Sequence, residues 1–424
     1  MPTPSLILVP ARFKTGKLYT PVATTSGGTV LGASGDFNVT RATAATRVNA
    51  SGLIESVASG IPRLDYYTSG GTAGCPALLV EPSGTNLVPS GTTFNLSTGI
   101  NYANVSSSPA VGISGTVISK TNAVTGTQYA NQVCLTALPS GSTNYTISRF
   151  FKYNGTDITT SLELNNGAQW GNTSWRQPIN ITSGGVTIGT SLFCTGSVEN
   201  YGDGWYRVIV RLTTGASPTG VATVSYLMAV PGAVASGGSF LTALPQLEVG
   251  SVATSYIPTT TGSVSRNADV ISVSGAVSGS IGSTEGTIYA EVDTTSQTAV
   301  RTLLTLSDGT ATNRIRFRLT TATNLEMERS VSGSTNATLN VAVPASGIYK
   351  VALGYNASAS GFVIYVNGSS VGTIAAATPT FTNQLTRIDI GSNIGASPLF
   401  NDRIRAVALY TTKLTNAELA ALTT

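Results

Sequence analysis

Short runs in which apolar and polar residues alternate recur from about residue 89 to the C-terminus, each closed by a cluster of glycine, asparagine, serine or threonine. A period of two places alternate side chains on opposite faces of an extended strand. Runs of this kind broken by frequent turns specify antiparallel sandwiches or jelly rolls. The clearest is GDGWYRVIVRL (202–212), where Gly202-Asp203-Gly204 turns the chain and Tyr206, Val208, Val210 and Leu212 then alternate with Arg207, Ile209 and Arg211. The expected fold is all-β: two consecutive antiparallel β-sandwich domains preceded by an extended N-terminal docking region.

Composition narrows the function. Only 10% of the 424 residues are charged, against about 25% in an ordinary globular protein, so hydroxyls, amides and backbone must carry solubility. The net charge of +4 is small and dispersed, without the clustered basic residues of a nucleic-acid-binding surface. The absence of histidine removes the commonest general base and the commonest zinc ligand. Cys75, Cys134 and Cys194 lie far apart and are odd in number, so three buried thiols are expected rather than a disulfide framework or a metal site. No cofactor is expected. The apolar run Leu6-Ile7-Leu8-Val9 is too short for a signal-peptide core or a membrane span, so membrane insertion is not expected, and the chain is expected to be made in a cytoplasm and not exported by the usual route.

Residues 1–35 hold Pro2, Pro4, Pro10 and Pro21 and the bases Arg12, Lys14 and Lys17, with no acid. Proline at this density favours an extended arm. Its apolar patch, Leu6, Ile7, Leu8 and Val9, could add a strand to the sheet edge of an acidic partner. Five segments are expected: the arm at 1–35, an attachment module at 36–88, a first sandwich at 89–258, a linker at 259–270, and a second sandwich at 271–424. The stretch LEVGSVATSYIPTTTGSVSRNADV (247–270) is then both an end and a start: 244–249 closes one sandwich and 258–270 leads into the next.

Residues 36–88 contain RATAATRVN (41–49), GLIE (52–55), IPRLDY (61–66) and ALLVEP…TNL (77–87), and resemble a module of tailed-phage virion proteins. NYGDGWYRV (200–208) and the 245–270 stretch resemble carbohydrate-binding-module-like domains of phage fibres, and 271–424 resembles a concanavalin A-like, laminin-G-like jelly roll. The resemblance implies a non-enzymatic phage head fibre or capsid decoration protein on the virion surface, a homo-trimer with capsid or tail proteins as partners. It would bind host surface polysaccharide through its sandwiches. The alternatives are a tail fibre or tailspike that cleaves polysaccharide, and a free bacterial sugar-binding module.

Candidate site residues follow from residue chemistry. Trp170 and Trp175, with Asn172 and Arg176 beside them, could stack and hydrogen-bond a sugar, although either tryptophan could equally fill the core, as Trp205 should. Arg314, Arg316 and Arg318 alternate with Ile315, Phe317 and Leu319 and invite a basic stripe. If 320–324 is a turn, however, Arg316 faces Glu328, Arg318 faces Glu326 and Phe317 faces Met327, and the hairpin neutralises itself. Glu291 and Asp293 share a strand face and resemble the start of a glucanase carboxylate motif, but no third acid follows, and a plain strand face is the favoured reading. Asp308 and Asp402 are the only candidates for a calcium site. Asn367-Gly368 specifies a tight type I′ hairpin. Thr415 and Glu418 have capping-box spacing at the head of a C-terminal helix whose Leu419 and Leu422 form its apolar side.

Overall fold

The computed structural model describes residues 2–20, 36–67, 74–89, 95–96, 100–105, 108–110, 115–120, 128–135, 141–164, 175–217, 224–230, 238–275, 277–357, 361–375, 379–396 and 399–424. The all-β expectation holds, with one α-helix among these residues, Asn416–Thr423, and one turn of 3-10 helix at Ser278–Ser280. The α-helix is capped reciprocally by Thr415 and Glu418 and buries Leu419. Asn367 and Gly368 both take positive φ, 46° and 81°, as a type I′ turn requires.

The middle sandwich consists of two six-stranded sheets. In one, Val224–Val230, Ile158–Leu164, Trp175–Thr182 and Gly185–Ile188 lie side by side; in the other, Ser239–Val249, Asn144–Tyr153, Trp205–Thr213 and Thr195–Asn200 do so. Ile147, Phe151, Ile158, Leu162, Trp175, Ile179, Val208 and Val210 are among the side chains that close its core.

The other sandwich is not confined to the C-terminal segment. Its eight-stranded sheet contains Glu285–Thr294, Gly347–Asn356 and Asp402–Tyr410, but also Ala77–Val80, Leu64–Asp65 and Leu6–Leu8. Its nine-stranded sheet runs Phe13–Lys14, Lys17–Leu18, Phe37–Thr40, Val270–Ser274, Arg387–Ile390, Arg301–Ser307, Arg314–Leu319, Asn324–Val331, Ser334–Ala342. The expected arm and attachment module are thus parts of this sandwich. The middle sandwich is an insertion between its N-terminal strands and the rest. The physical reason is burial: Leu6, Leu8, Leu18, Phe37, Val39, Leu64, Leu78 and Val80 all lie in the same core as Ile288, Leu306, Phe317 and Val407.

This corrects the docking arm. Leu6, Ile7 and Leu8 do add a strand to a sheet edge, but the edge is that of Asp402–Tyr410 in the same chain, with Leu6 opposite Leu409 and Leu8 opposite Val407. Leu6 and Leu8 are buried, Val9 is exposed, and Arg12 and Lys14 point to solvent while Lys17 is half-buried.

The chain leaves for the insertion and returns through a neck, where Gly84–Asn86 pairs antiparallel with Val264–Arg266. The expected linker is therefore ordered. Buried charges lock it. Arg63, with no exposed surface, donates to Glu81 (2.7 Å), to the Ser255 hydroxyl (2.8 Å) and to Asp269. Arg41 donates to the other oxygen of Asp269 (2.9 Å), and Arg266 reaches Glu81 at 3.3 Å. The backbone NH and hydroxyl of Ser255 both donate to Glu81, each at 2.7 Å. Asn86 donates to the carbonyls of Pro245 and Ile257 and accepts from the NH groups of Val88 and Leu247. Beside these groups a second cluster, including Val48, Ile54, Tyr67, Phe150, Trp205, Leu244 and Tyr256, packs the middle sandwich onto the 45–67 segment. Trp205 is buried as expected, but in this junction. The signature residues of 36–88 and the Ser255, Arg266 and Asp269 of the 247–270 stretch are thus one internal joint.

Two predictions follow from the packing. Burial pushes the Glu81 carboxyl up, but Arg63 and Arg266 more than reverse this and bring it from 4.5 down to about 2. Its contribution is complete above the unfolded-state value and disappears as pH falls towards the folded one, so wild-type stability should drop by on the order of 3 kcal/mol between pH 5 and 2 through this group. Glu81→Gln, which leaves two buried arginines short of a counter-charge, should cost about 3–5 kcal/mol at pH 7 and flatten that acid limb. Urea titrations of both proteins across this range test it, and equal acid slopes would refute it. Separately, Leu8→Ala should cost about 2–5 kcal/mol by leaving a cavity. An unchanged melting curve would show the N-terminal strand to be dispensable.

Candidate carbohydrate-binding surface

The alternation that sends Ile315, Phe317 and Leu319 into the core sends Arg314, Arg316 and Arg318 to the opposite face of the nine-stranded sheet. The expected hairpin register is present: Arg316 lies opposite Glu328, Phe317 opposite Met327 and Arg318 opposite Glu326. Glu328 is held from two sides, by Arg314 Nη2 and by Arg316 Nη2, both at 2.7 Å. Arg318 Nε donates to Glu326 Oε1 at 2.5 Å. Burial pushes the Glu328 carboxyl up, yet the flanking arginines win and hold it below the ordinary range. The Arg316 guanidinium is lowered by burial despite Glu328.

The same face continues across the whole sheet. Lys14, Lys17, Asn38, Ser272, Asp389, Thr305, Arg316, Glu328 and Thr338 are successive cross-strand neighbours, one from each strand, with no apolar residue among them. The adjacent rung carries Ser274, Arg387, Ser307, Arg314, Ser330 and Thr335. Arg387 grips Asp389 with two 2.7 Å bonds. Burial raises the Asp389 carboxyl while Arg387 opposes it. The middle of these rungs is buried: Asp389, Thr305 and Ser307 have no exposed surface, Ser330, Arg316 and Glu328 have almost none, and the Thr305 hydroxyl donates to the Ser392 carbonyl at 2.9 Å. The accessible polar groups are therefore Lys14, Lys17, Asn38 and Ser272 on one side and Arg314, Arg318 and Thr338 on the other. Cross-strand pairing holds these groups in place, and fixed donors and acceptors cost less to order when a hydrogen-bonding ligand binds. Composition hinted at this surface through the Ser/Thr/Asn content. Its continuity depends on strands brought in from residues 14–40, which the sequence placed elsewhere.

The other candidates separate. Trp170 and Asn172 lie outside the described residues. Trp175 is a core residue, 3% exposed, packed with the Ile147, Leu162 and Val210 cluster, because it occupies an inward position of Trp175–Thr182. Arg176, the next residue, points outward and pairs with Glu163 at 3.0 Å, its side chain 48% exposed. Glu291 is engaged by Arg405 at 2.8 Å, and Asp293 is buried, so the two acids are not presented as a catalytic pair. Asp308 organises its own loop, accepting from Thr310, Asn313 and Asn383. Asp402 is buried against Arg301, Thr295 and Gln297. The two are in different places, and no cluster of three or more potential metal ligands occurs among the described residues. Of the cysteines, Cys75 is exposed and Cys194 half-buried, which corrects the expectation of buried thiols for these two; the Cys134 side chain lies outside the description.

The junction between the sandwiches contains a cleft lined by Arg47, Asp65, Glu199, Arg207, Gln297 and Arg403, among others, with about 40 Å³ of space. A single water needs roughly 10–15 Å³ on this measure, so the cleft has room for a few waters but not for a sugar ring.

Residues 266–420 match the sequence model of the concanavalin A-like lectin/glucanases superfamily. The match covers the C-terminal part of the larger sandwich, including most of the polar face. Among solved structures, the Ruminococcus gnavus IT-sialidase CBM40 is 23% identical over 34% of this chain and 84% of its own, with a TM-score of 0.31. The leech intramolecular trans-sialidase is 20% identical over 34% of this chain and 23% of its own (TM-score 0.30), and the binding domain of Botulinum neurotoxin DC is 14% identical over 37% and 40% (TM-score 0.30). No curated protein matches the chain.

Because Glu328 serves two arginines, the hairpin should not behave as an isolated pair. Arg316→Glu should cost about 3–5 kcal/mol, because its pair with Glu328 is nearly buried on both sides. Adding Glu328→Arg should recover only part of this, since the new arginine would meet Arg314. Further adding Arg314→Glu should recover the rest. Thermal denaturation of the series tests it, and complete recovery in the double variant would show that Arg314 contributes nothing.

Proposed function

We propose that the protein is a non-enzymatic glycan-binding appendage of a bacteriophage particle, a head fibre or capsid decoration protein that displays its two sandwiches for adhesion to host surface polysaccharide. The observation that carries the glycan reading is the match of the 266–420 segment to a lectin and glucanase superfamily, in a sandwich that presents Arg314, Arg318 and Thr338 beside one another on a polar sheet face. The virion reading is supported by the resemblance of residues 36–88 and 245–270 to phage fibre segments, and with it come virion-surface location, trimeric assembly and capsid or tail partners. Docking on the particle falls to the exposed Arg12, since Leu6 and Leu8 serve the chain's own core and Lys14 belongs to the polar face. A polysaccharide-cleaving role finds little support in Glu291 and Asp293, which are tied up or buried.

Arg318→Leu tests the binding surface. Its ion pair with Glu326 is partly exposed, and such pairs contribute at most about 1 kcal/mol, so the fold should persist. Binding to a glycan array of bacterial capsular and lipopolysaccharide fragments should weaken at least tenfold, which is about 1.4 kcal/mol. Unchanged array signals would place the glycan elsewhere, and reducing ends released from those polysaccharides by the wild type would overturn the non-enzymatic reading. Immunogold labelling of intact particles at the tail alone would overturn the head-fibre assignment.

A further inference from the structure

The segment Gly189–Cys194 carries the chain across one end of the middle sandwich, from the sheet of Gly185–Ile188 to the sheet of Thr195–Asn200. At this crossing Phe193 adopts φ 52°. For a bulky side chain this left-handed conformation is strained, and glycine or asparagine would occupy it more easily. Phe193 nevertheless leaves 55% of its surface exposed, and Leu192 leaves 46%, so burial does not compensate for the strain. The conformation is enforced by neighbours. Leu192 and Arg176 exchange both backbone hydrogen bonds, at 2.8 and 3.2 Å, and Ser191 Oγ donates to Gln177 Oε1 at 2.7 Å. Directly opposed residues share a sheet face. Glu163, Arg176 and Leu192 are successive cross-strand neighbours, so the Arg176–Glu163 pair stands on the same outer face as Leu192, one residue along the chain from Phe193.

We propose that Phe193, Leu192 and the Arg176–Glu163 pair form a second glycan site that takes a neutral pyranose. The ring and Leu192 offer an apolar platform to the C–H face of the sugar. The guanidinium donates to one hydroxyl oxygen and the carboxylate accepts from its neighbour. Because Arg176 is already neutralised by Glu163 at 3.0 Å, the pair suits adjacent hydroxyls and disfavours a sugar carboxylate. Strain held in place beside an exposed aromatic is the pattern of a binding residue kept at a cost to the fold. The site rests on the reading of the protein as a glycan binder but is separate from the polar face of the other sandwich.

Phe193→Asn separates function from structure, because asparagine fits the left-handed turn but removes the ring. The full-length wild type, Phe193→Asn, Arg176→Leu and Val300→Ser would each be titrated, by ligand-observed NMR, with the methyl glycosides of glucose, galactose, mannose and N-acetylglucosamine, and with glucuronate as the acidic control. The expected result is that Phe193→Asn melts at or above the wild-type temperature yet binds at least one neutral glycoside tenfold or more weakly. Arg176→Leu should weaken the same glycoside, and Val300→Ser, at an exposed position outside both surfaces, should leave it unchanged. Unchanged neutral binding in Phe193→Asn overturns this site alone, as does preference for glucuronate or loss of self-association by sedimentation in Phe193→Asn with sugar binding intact. Wild-type protein that binds neither these glycosides nor the array overturns the glycan reading itself.

Discussion

Asp269 is the point on which the architecture turns. Its two oxygens receive Arg41 and Arg63, and one of them also accepts the backbone NH of Glu81. Glu81 in turn receives Arg63, Arg266 and Ser255. Five charged side chains from four separate stretches of sequence are thereby removed from water together. Stripping them of solvent is expensive, and mutual attraction offsets that only where every donor and acceptor is placed. Such an arrangement is more convincing as a device for fixing one arrangement of two sandwiches than as a source of net stability. Its tightness shows at Gly84, where an added Cβ would lie 2.7 Å from Glu248 Oε1 and 3.0 Å from Thr254 Oγ1.

The joint also explains where a charge-poor chain places its charges. Arg41, Arg63, Arg149, Arg266, Arg301 and Arg329 are among its largest fully buried side chains. Charged groups therefore serve the interior and the ordered rungs of one sheet face, while hydroxyls and amides clothe much of the remaining surface. A surface of that kind is well matched to hydroxyl-rich polymers, and the glycan reading draws on the same economy of charge that the composition displays.

The two proposed sugar surfaces differ in physical character. The polar face of the larger sandwich offers accessible hydrogen-bonding groups on either side of a buried middle and no aromatic among its rungs, so it suits an extended chain bound through repeated weak contacts. The end of the middle sandwich offers one exposed ring and one neutralised ion pair, which suits a single residue of such a chain. Because both belong to one chain joined by a locked neck, engagement of one raises the effective concentration at the other wherever a polymer spans the two.

The sequence by itself determined what depends on neighbours along the chain. The Arg314–Glu328 hairpin was legible because its two strands are adjacent and a period of two leaves few registers that bury Phe317 and Met327 together. The Asn367-Gly368 turn and the Thr415–Glu418 cap were legible because each is set by the geometry of a few consecutive residues. Local pattern grouped Trp175 and Arg176 in one candidate site, whereas the strand they share sends them to opposite faces, and the second sheet covers Trp175 and leaves Arg176 outside. Phe193 gave no signal, since a positive φ at a phenylalanine is imposed by its surroundings rather than chosen by the residue. The joining of residues 6–80 to 266–424 was the least visible feature. Arg41 and Asp269 are 228 positions apart, and local pattern carries no information about which distant edge a strand will meet. Only the closed core, with Leu8, Phe37 and Val80 beside Leu306 and Val407, settled that partnership.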